Sequence, residues 1–600
     1  MVSLLCKKTA KSGNKKEKNM KTKIISMLFA MVLVVAMFAS CNNNSDNGGN
    51  NGGNNNGGSG GGVNVVIPDN APSYGVTWEK TKINFELTKN SASGELSSGC
   101  ERYYAGTAAN AFDPIDTAVR NRNLAAAKQA NVDPNYDYVD ADAGWGANIG
   151  RISSQAMTEN SANPDIYCNF AYDLTCAQVK GCFANLLGTT YTGGNWFRFT
   201  EDGYAEQVAA NATNYFDAEA GEGYFFEYMR SLTLSDDKMY CLASNYCTDT
   251  VRSFLVVPVN VSMLEDILPE NHYKNTITDV TSFYDLVWKK TNLNPEYKDG
   301  WTYDVLAHYG NKVYVDDTKN DNVLADTVAF AAGCNSGLVS SGILYTTSVK
   351  IIDKAPNGDG TYKYSYPDGN EGLNEFATAL QTLFGENKPK GIITVTGDEA
   401  KEFNSSATTE LIAIREQFAL NKILFGGVIA VGSLEDSTYQ KMRTDGKGFG
   451  ILPVPVYKAG DEYLTLVHNI ARIIAVAKAT TDFAQCSAFL DYNSRMSADI
   501  LDEYYEGTLV AQTGGLAGNA NKEMLTYIRN HVRDCFDKTF EDAVSSRMGN
   551  TDATAISNKW HEQLSKFRFN YPDFSAQYSS MKEAKQKNLL AVLADWNSFD

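Results

Sequence analysis

The segment KMYCLASNYCTDTVRSFLVVPVNV, residues 238–261, contains two apolar runs of strand length, Lys238–Ala243 and Phe254–Val261. Short apolar runs that are bounded by polar or turn residues are typical of buried strands. Two earlier runs, Lys82–Leu87 and Asp165–Phe170, have the same character. Helical patterns lie between and after these runs, and strands that alternate with helices predict α/β lobes.

The clearest helical and turn patterns lie in the second half of the chain. Residues 374–384 and 523–544 repeat apolar side chains with the 3.6-residue period, which predicts a helix over each range. Between the β-type runs and these helices, NGDG at 357–360 and PDGN at 367–370 combine turn-forming residues. They predict a hairpin in a surface insertion.

Charge and composition limit the classes of function. The 600 residues include 53 Lys+Arg and 71 Asp+Glu, a net charge of −18, and 43% are hydrophobic. Residues 1–40 alone carry a net +7, so the remainder carries −25. An acidic body argues against nucleic-acid binding, which requires basic surfaces over phosphates. The hydrophobic content is ample for a folded core.

The N-terminus has the pattern of a secretory signal. Lys21 and Lys23 precede the apolar run 24–40, which ends in small residues before Cys41. This end resembles the bacterial lipobox, whose cysteine is lipidated and becomes the new N-terminus. A membrane-spanning anchor is the alternative, but the run is shorter than the roughly 20 residues of a typical span.

A tether follows the lipidation site. Residues 42–62 are almost only Asn and Gly, a composition that cannot bury apolar surface and behaves as a flexible linker. We therefore expect a signal region over 1–40, with Met20 as the start of translation. Residues 41–66 would form the lipidated linker.

The cysteines and the familiar catalytic motifs give no sign of an enzyme. Nine cysteines follow Cys41, an odd number without CxxC, so we expect small core residues rather than a disulfide framework or a zinc site. The sequence contains no HExxH, GxSxG or Walker loop. We expect no cofactor and no metal.

Aromatic residues near loops suggest a carbohydrate site. The chain has 33 Tyr and 7 Trp, and sugar sites combine aromatic walls with a few polar side chains. Four clusters contain the candidate residues: Trp145; Asn169, Tyr172 and Asp173; Asn245, Tyr246 and Arg252; and Trp196. The second and third follow expected strands, where ligands of α/β lobes bind. Core packing of the aromatic residues and an Arg252–Asp249 pair are the alternatives.

Several segments, in order from about residue 75 to 600, resemble the extracellular solute-binding proteins of bacterial ABC importers, particularly the carbohydrate-binding kind. The segments that carry the resemblance are Asn163–Tyr167, Lys238–Ala243, Phe254–Asn260, Asp279–Trp288, Leu424–Gly432, Gly448–Pro455 and Ile474–Leu490. The segment Gly448–Pro455 (GFGILPVP) matches the family pattern G-x-x-P-x-P well. Pro and Trp are absent from the head of Asp279–Trp288, where the family has them.

The resemblance implies a two-lobed, periplasmic-binding-protein-like (type II) α/β fold that closes around its ligand by a hinge. The implied lobes are 67–258 with 463–535, and 259–462 with 536–600. From the second lobe, Phe425 and Glu435 are candidates to face the cleft.

The expected function is capture of a sugar or oligosaccharide for the permease of an ABC importer, without catalysis. The protein would be extracytoplasmic and held on the bilayer through lipid on Cys41. A peptide ligand remains open. One alternative is a cell-surface glycoside hydrolase, which needs two carboxylates about 5–9.5 Å apart. Another is a helical surface glycan-binding lipoprotein, against which the β-type segments argue.

Overall fold

Two separate β-sheets organise the chain. The structure is a computed structural model and describes residues 65–75, 77–89, 114–140, 146–186, 197–199, 205–207, 216, 223–235, 238–267, 300–317, 323–334, 337–357, 362–368, 371–404, 409–510, 518–532, 536–547 and 571–599. The signal region, Cys41 and most of the linker lie outside these residues. Among the described residues, none of the helices combines the length and the apolar character needed to cross a membrane.

Strands and helices alternate over most of the described chain. The strands are β1 Thr81–Lys89, β2 Val132–Asp140, β3 Ile166–Phe170, β4 Phe197–Phe199, β5 Ala205–Gln207, β6 Leu255–Asn260, β7 Tyr314–Val315, β8 Thr327–Gly333, β9 Asp353–Pro356, β10 Tyr362–Ser365, β11 Ile392–Val395, β12 Ile423–Phe425, β13 Ile429–Ala430, β14 Phe449–Leu452 and β15 Arg472–Val476.

The helices are α1 Pro114–Gln129, α2 Ile149–Ala156, α3 Ala171–Gln178, α4 Phe226–Ser231, α5 Thr248–Arg252, α6 Val261–Ile267, α7 Tyr303–Lys312, α8 Gly337–Tyr345, α9 Glu371–Phe384, α10 Gly397–Phe403, α11 Glu410–Ala419, α12 Ser437–Thr444, α13 Phe483–Arg495, α14 Ala498–Glu503, α15 Gly518–Asn530, α16 Phe536–Arg547 and α17 Tyr571–Ser598. Short 3₁₀ turns span Val323–Ala325 and Val431–Glu435, and a π-helical segment spans Tyr504–Val510.

The first sheet has the strand order β2-β1-β3-β15. Strand β1 is parallel to β2 and β3, and β15, which arrives from far along the chain, is antiparallel to β3. Parallel neighbours need crossover connections, which α1 and α2 supply. Ile83, Phe85 and Leu87 of β1 are fully buried, so this strand forms the centre of the first core.

The second sheet has the order β11-β8-β12-β6-β13, with β14 also paired to β6 and β7 to β8. Strands β11, β8 and β12 are parallel, whereas β6 runs antiparallel to β12, β13 and β14. Its β6 residues Leu255–Asn260 are all buried. The mixed α/β class expected from the sequence is therefore confirmed.

Two chain segments pass between the sheets side by side. The first, Ser253–Leu255, leads from α5 into β6, and the second, Leu466–His468, leads back towards β15. We call them the crossover pair. Phe254 and Val467 form an antiparallel bridge, the Leu255 amide donates to the Leu466 carbonyl at 3.1 Å, and the His468 amide donates to the Ser253 carbonyl at 3.0 Å. The sheets are therefore joined by hydrogen-bonded backbone.

The expected hairpin and one of the two expected helices are present. Strands β9 and β10 pair in antiparallel fashion around the turn residues. Helix α9 buries Phe376, Leu380, Leu383 and Phe384, the apolar face that the sequence periodicity indicated. The run Lys238–Ala243 forms isolated bridges rather than a full strand: Leu242 bridges Ile474 at the edge of the first sheet, and Lys238 bridges Ser235.

The helix expected over 523–544 is wrong as a single element. The structure has two helices there, α15 and α16. The His531 carbonyl accepts a hydrogen bond from the Thr465 amide at 2.8 Å, and Val532 forms a bridge with Thr465. This pairing with a distant segment replaces helical hydrogen bonds, so the apolar period continues while the helix stops.

The C-terminal helices touch elements around both sheets. Helix α16 packs against α3 and α4, while α17 packs against α16, α9 and β10. Lys585 of α17 forms a fully buried ion pair with Glu541 of α16, and Tyr366, just after β10, donates to the same carboxylate at 2.5 Å. These contacts hold the last helices onto the body of the protein.

Gly391, just before β11, lies where neighbouring backbone packs closely against the second sheet. A Cβ there would lie 2.7 Å from the Gly310 carbonyl oxygen and closer still to that of Val313. We expect Gly391→Ala to lower the free energy of unfolding by about 1–3 kcal/mol, because backbone on both sides must move.

The matched control is Gly150→Ala in α2, where a Cβ meets nothing within 4 Å. Alanine should raise stability there by about 0.5–1 kcal/mol, since glycine is unfavourable inside a helix. Urea unfolding of both variants measures the difference, and equal midpoints would show that the packing at Gly391 is looser than described.

Candidate functional site

The first and second sequence clusters meet at the N-terminus of α3. This helix begins directly after β3, so its first turn lies at the carboxyl end of a sheet strand. Asp173 of that turn accepts a hydrogen bond from the Gly146 amide at 3.0 Å, and the side-chain amide of Asn148 lies 3.5 Å from its other oxygen. Gly146 directly follows Trp145, which lies outside the described residues. Asp173 therefore anchors the segment that continues from Trp145.

The first amides of α3 are bonded to the returning chain. The Ala171 amide donates to the Ala471 carbonyl at 2.8 Å, and the Tyr172 amide donates to the Asn469 carbonyl at 3.0 Å. Tyr172 itself is buried. The helix start is consequently fixed to the segment that follows the crossover pair.

Asn169 is occupied by structural hydrogen bonds. Its side-chain amide donates to Glu86 at 3.1 Å, and its carbonyl oxygen accepts from the Phe170 amide at 2.7 Å. Arg151 donates to both oxygens of Glu86, one bond measuring 2.9 Å, and also to Asn148 at 3.2 Å. Glu86, although buried, is thus paired, as a buried carboxylate needs to be.

Asp173 is the titrating group of this region. Burial raises the pKa of Asp173 to about 6, although the hydrogen bonds from Asn148 and Gly146 oppose the shift. The carboxyl group therefore changes charge in a mildly acidic range, unlike an exposed aspartate.

Arg252 of the third cluster meets Glu435 in a buried charge network. Arg252 contacts Asp249 at 2.5 Å and Glu435 at 2.7 Å, and Arg472 contacts the second oxygen of Asp249 at 2.7 Å. Tyr504 donates to Glu435 at 2.7 Å. Both arginines and Asp249 are 0% exposed, so buried side chains rather than water compensate these charges.

This network joins elements of the two sheets. Asp249 and Arg252 lie on α5, just before the first crossover segment, and Arg472 begins β15, just after the second. Glu435 ends the 3₁₀ turn that follows β13 of the second sheet. The pair between Arg252 and Asp249, which the sequence offered as the alternative to a ligand contact, is present, and Glu435 extends it across the crossover.

Asn245 and Tyr246 lie in the same turn but have different surroundings. The Tyr246 ring is fully buried, 4.9 Å from the Arg122 guanidinium and edge-on to Phe489. Asn245 is 2% exposed. In the part of the chain that the structure describes, its side-chain oxygen has no hydrogen-bond partner, and neither has the Thr248 hydroxyl. Two polar atoms are therefore buried unpaired beside the charge network.

Phe425 lies in the core of the second sheet. Its ring is fully buried, 4.9 Å from the Trp301 ring and 5.9 Å from the Tyr309 ring. Trp196, like Trp145, lies outside the described residues. The structure thus brings Asp173 to the loop after Trp145 and Arg252 to Glu435. Tyr246 packs against Arg122 and Phe489, and Phe425 packs among aromatic rings.

Sequence reasoning missed several residues that hold these groups. Arg472 is the one charged residue of β15 and Glu86 is the one acidic residue of β1, a signal that marks a buried ion pair when its partner is known. Arg151, Asn469 and Tyr504 had no such signal. Among the described residues, no group of three or more His, Cys, Asp or Glu side chains is placed to hold a metal ion.

A polar depression lies elsewhere, beside the hairpin. It measures about 430 Å³ and is lined by residues that include Lys350, Asp353, Glu371 and Tyr457. It belongs to none of the four sequence clusters.

No protein-family model and no curated protein matches this sequence. Similar solved structures include the GacH receptor of Streptomyces glaucescens, determined unliganded and with acarbose, at 11% identity and a TM-score of 0.41, covering 87% of this chain and 100% of that one. The maltose/maltodextrin-binding domain MalE of Bdellovibrio bacteriovorus, bound to maltotriose, has 11% identity and a TM-score of 0.41, covering 86% and 100%.

The galacto-N-biose-/lacto-N-biose I-binding protein from Bifidobacterium longum, in complex with lacto-N-biose, has 11% identity and a TM-score of 0.44, covering 86% of this chain and 97% of that one. It is the binding protein of an ABC transporter, the class that the sequence segments resemble.

The raised pKa of Asp173 predicts a pH-dependent contribution to stability. The folded state holds this proton more tightly than the unfolded state, so stability falls as the pH rises from about 4 to about 6. Relative to that of Asp173→Asn, the free energy of unfolding of the wild type should fall by up to about 3 kcal/mol as the pH rises across this window.

Urea unfolding of wild type and Asp173→Asn at several pH values between 4 and 7 measures that difference. Asp133→Asn on β2 is the control for removing one exposed carboxylate. Parallel pH curves for wild type and Asp173→Asn would contradict the burial of this group.

Removing one member of the charge network should be costly. We expect Glu435→Gln to lower the free energy of unfolding by about 3–5 kcal/mol, because Arg252 is left buried with reduced compensation. Asp368→Asn is the matched control: it breaks an ion pair with Lys582 in which the Asp368 side chain is 99% exposed. Such exposed pairs contribute about 0–1 kcal/mol, so equal losses in the two variants would show that the network is solvated.

Proposed function

We propose that the protein is the extracytoplasmic solute-binding component of an ABC importer and that its ligand is a sugar or oligosaccharide. The observation that carries the proposal is the crossover pair: two α/β sheets are joined by adjacent backbone segments. Such a connection permits rigid-body closure of one half against the other around a ligand. Binding and release, rather than bond cleavage, are the work that this arrangement supports.

The proposed ligand site lies at the carboxyl end of β3. We propose Trp145 as an aromatic contact, because Gly146, the residue after it, is bonded to Asp173 on the helix that also carries Tyr172. Asp173 offers a carboxylate to sugar hydroxyls, and aromatic rings stack on the apolar faces of sugars. Trp196 is proposed as a second aromatic contact.

Asn245 is proposed as a further hydrogen-bond acceptor for the ligand. Its unpaired side-chain oxygen is buried, and such a group normally costs free energy unless water or a ligand bonds to it. A sugar hydroxyl supplies the missing donor. Arg252 and Glu435 are assigned to the connection between the sheets rather than to ligand contact, since each is satisfied by the other.

The proposed location of the protein, on the outer side of a membrane, rests on its N-terminal residues. Lipid on Cys41 would hold the protein on the bilayer, and the Asn/Gly-rich tether would let the body reach the permease.

A thermal-shift screen of the purified protein over mono- and oligosaccharides tests the proposal. A ligand at a hundred times its Kd stabilises the folded state by about 2.7 kcal/mol, which is a readily measured shift. Trp145→Ala should then weaken binding at least tenfold, because a stacking face is lost.

Trp78→Ala is the control, since Trp78 packs against Tyr74 at a distance of 6.1 Å between ring centroids, outside the proposed site. A saccharide that binds Trp145→Ala as tightly as wild type would remove Trp145 from the site. The absence of any saccharide shift, or release of products from polysaccharide, would overturn the proposed function.

A further inference from the structure

Two buried cysteines face each other beside the charge network. The sulfur atoms of Cys168 and Cys247 are 3.1 Å apart, although the residues are 79 positions apart in sequence. Cys168 is 0% and Cys247 1% exposed. Cys168 lies on β3, and Cys247 is the N-cap residue, directly before α5.

The distance between the two sulfur atoms is close to the length of a disulfide bond. A disulfide has a sulfur–sulfur distance of about 2.05 Å, so the two atoms need to approach by only about 1 Å. Both residues are held by regular structure: Cys168 pairs with Leu87 on one side and Ile474 on the other, and α5 is held by Asp249 and Arg252. The fold therefore holds the two sulfur atoms next to each other in one arrangement.

We propose that Cys168 and Cys247 form a disulfide bond when the chain folds in an oxidising compartment. The oxidant is a disulfide of an exported dithiol oxidoreductase, or a small-molecule disulfide. The thiolate of one cysteine attacks the donor disulfide, which yields a mixed disulfide and one donor thiolate. The second cysteine then attacks the mixed disulfide. The Cys168–Cys247 bond forms, and both donor sulfurs end as thiols, as one dithiol for the oxidoreductase or as two separate molecules for a small-molecule disulfide, having together gained two electrons and two protons.

The bond forms before the core closes. In the folded protein both sulfurs are shielded from solvent, and burial raises the pKa of Cys168 well above its usual value. Folded protein therefore contains little thiolate at this position to start the exchange. The same shielding protects a bond that has already formed from external reductants.

The crosslink would fix α5 to the first sheet. Cys247 lies two residues before Asp249, and Cys168 lies opposite Ile474, two residues after Arg472. Asp249 accepts from both Arg252 and Arg472, so the bond holds together the elements that carry three of the network's charges. Closing a loop this long also removes much freedom from the unfolded chain.

A second pair of cysteines serves as the internal control. Cys182 and Cys241 are both buried and close enough for Cys182 to affect the titration of Cys241. The Cys182 thiol, however, donates to the Ala177 carbonyl at 3.2 Å. Cys182 and Cys241 are therefore as buried as Cys168 and Cys247, but they lack the sulfur–sulfur contact of that pair.

The test is refolding of the reduced, urea-unfolded full chain in a mixture of reduced and oxidised glutathione. The product is denatured in an alkylating agent without reductant and mapped by mass spectrometry. We expect one crosslinked peptide pair, two hydrogens lighter than its parts, that contains Cys168 and Cys247, with Cys182 and Cys241 alkylated. Because refolding needs neither export nor sugar, this result is independent of the proposed function.

Variants make the assignment specific. Cys247→Ala should leave Cys168 alkylated and lower the urea midpoint of the oxidised protein, whereas Cys241→Ala should retain the crosslink. Alkylation of both Cys168 and Cys247 in correctly refolded wild type would overturn the proposal, and so would a crosslink between Cys182 and Cys241 in place of the expected one.

Discussion

The buried ion pair between Arg252 and Glu435 is the contact on which the arrangement of the two sheets depends. Neither charge can be removed from water without a partner, since an isolated buried charge costs several kcal/mol. Asp249 compensates both Arg252 and Arg472, and Tyr504 bonds to Glu435. Two positive and two negative side chains therefore balance only when α5, β15 and the turn after β13 come together. The crossover pair is the backbone connection at the same place.

The candidate site is mechanically connected to this region. The first amides of α3 donate to the Asn469 and Ala471 carbonyls, which follow the second crossover segment. Asp173, two residues further along, then bonds to the loop after Trp145. A rotation at the crossover would consequently be transmitted to the helix start through hydrogen bonds rather than through loosely packed side chains. The unpaired side-chain oxygen of Asn245 lies in the turn that leads into α5.

Local sequence patterns predicted strands and helices well, but they predicted the surroundings of single residues poorly. Apolar runs at Lys82–Leu87 and Asp165–Phe170 became buried strands because a short apolar run has few other stable environments. The helix over 523–544 failed because Thr465, a distant residue, bonds to His531. The Arg252–Asp249 pair was visible as neighbours one helical turn apart, whereas Glu435 is 183 positions away from Arg252. Phe425 shows the same limit, because the sequence of an aromatic residue at the end of a strand does not tell whether its side chain contacts a ligand or the core.

The most direct test of the account is the distance between the two halves with and without ligand. Met157, after α2, and Leu420, after α11, are each 58% exposed and accept bio-orthogonal spin labels without disturbing a core. Pulsed electron–electron double resonance measures the distance distribution between the two labels. It is recorded for the unliganded protein and for the protein saturated with the saccharide that stabilises it most. Closure about the crossover pair predicts a shifted and narrower distribution on binding. A bound saccharide with an unchanged distribution would contradict the account.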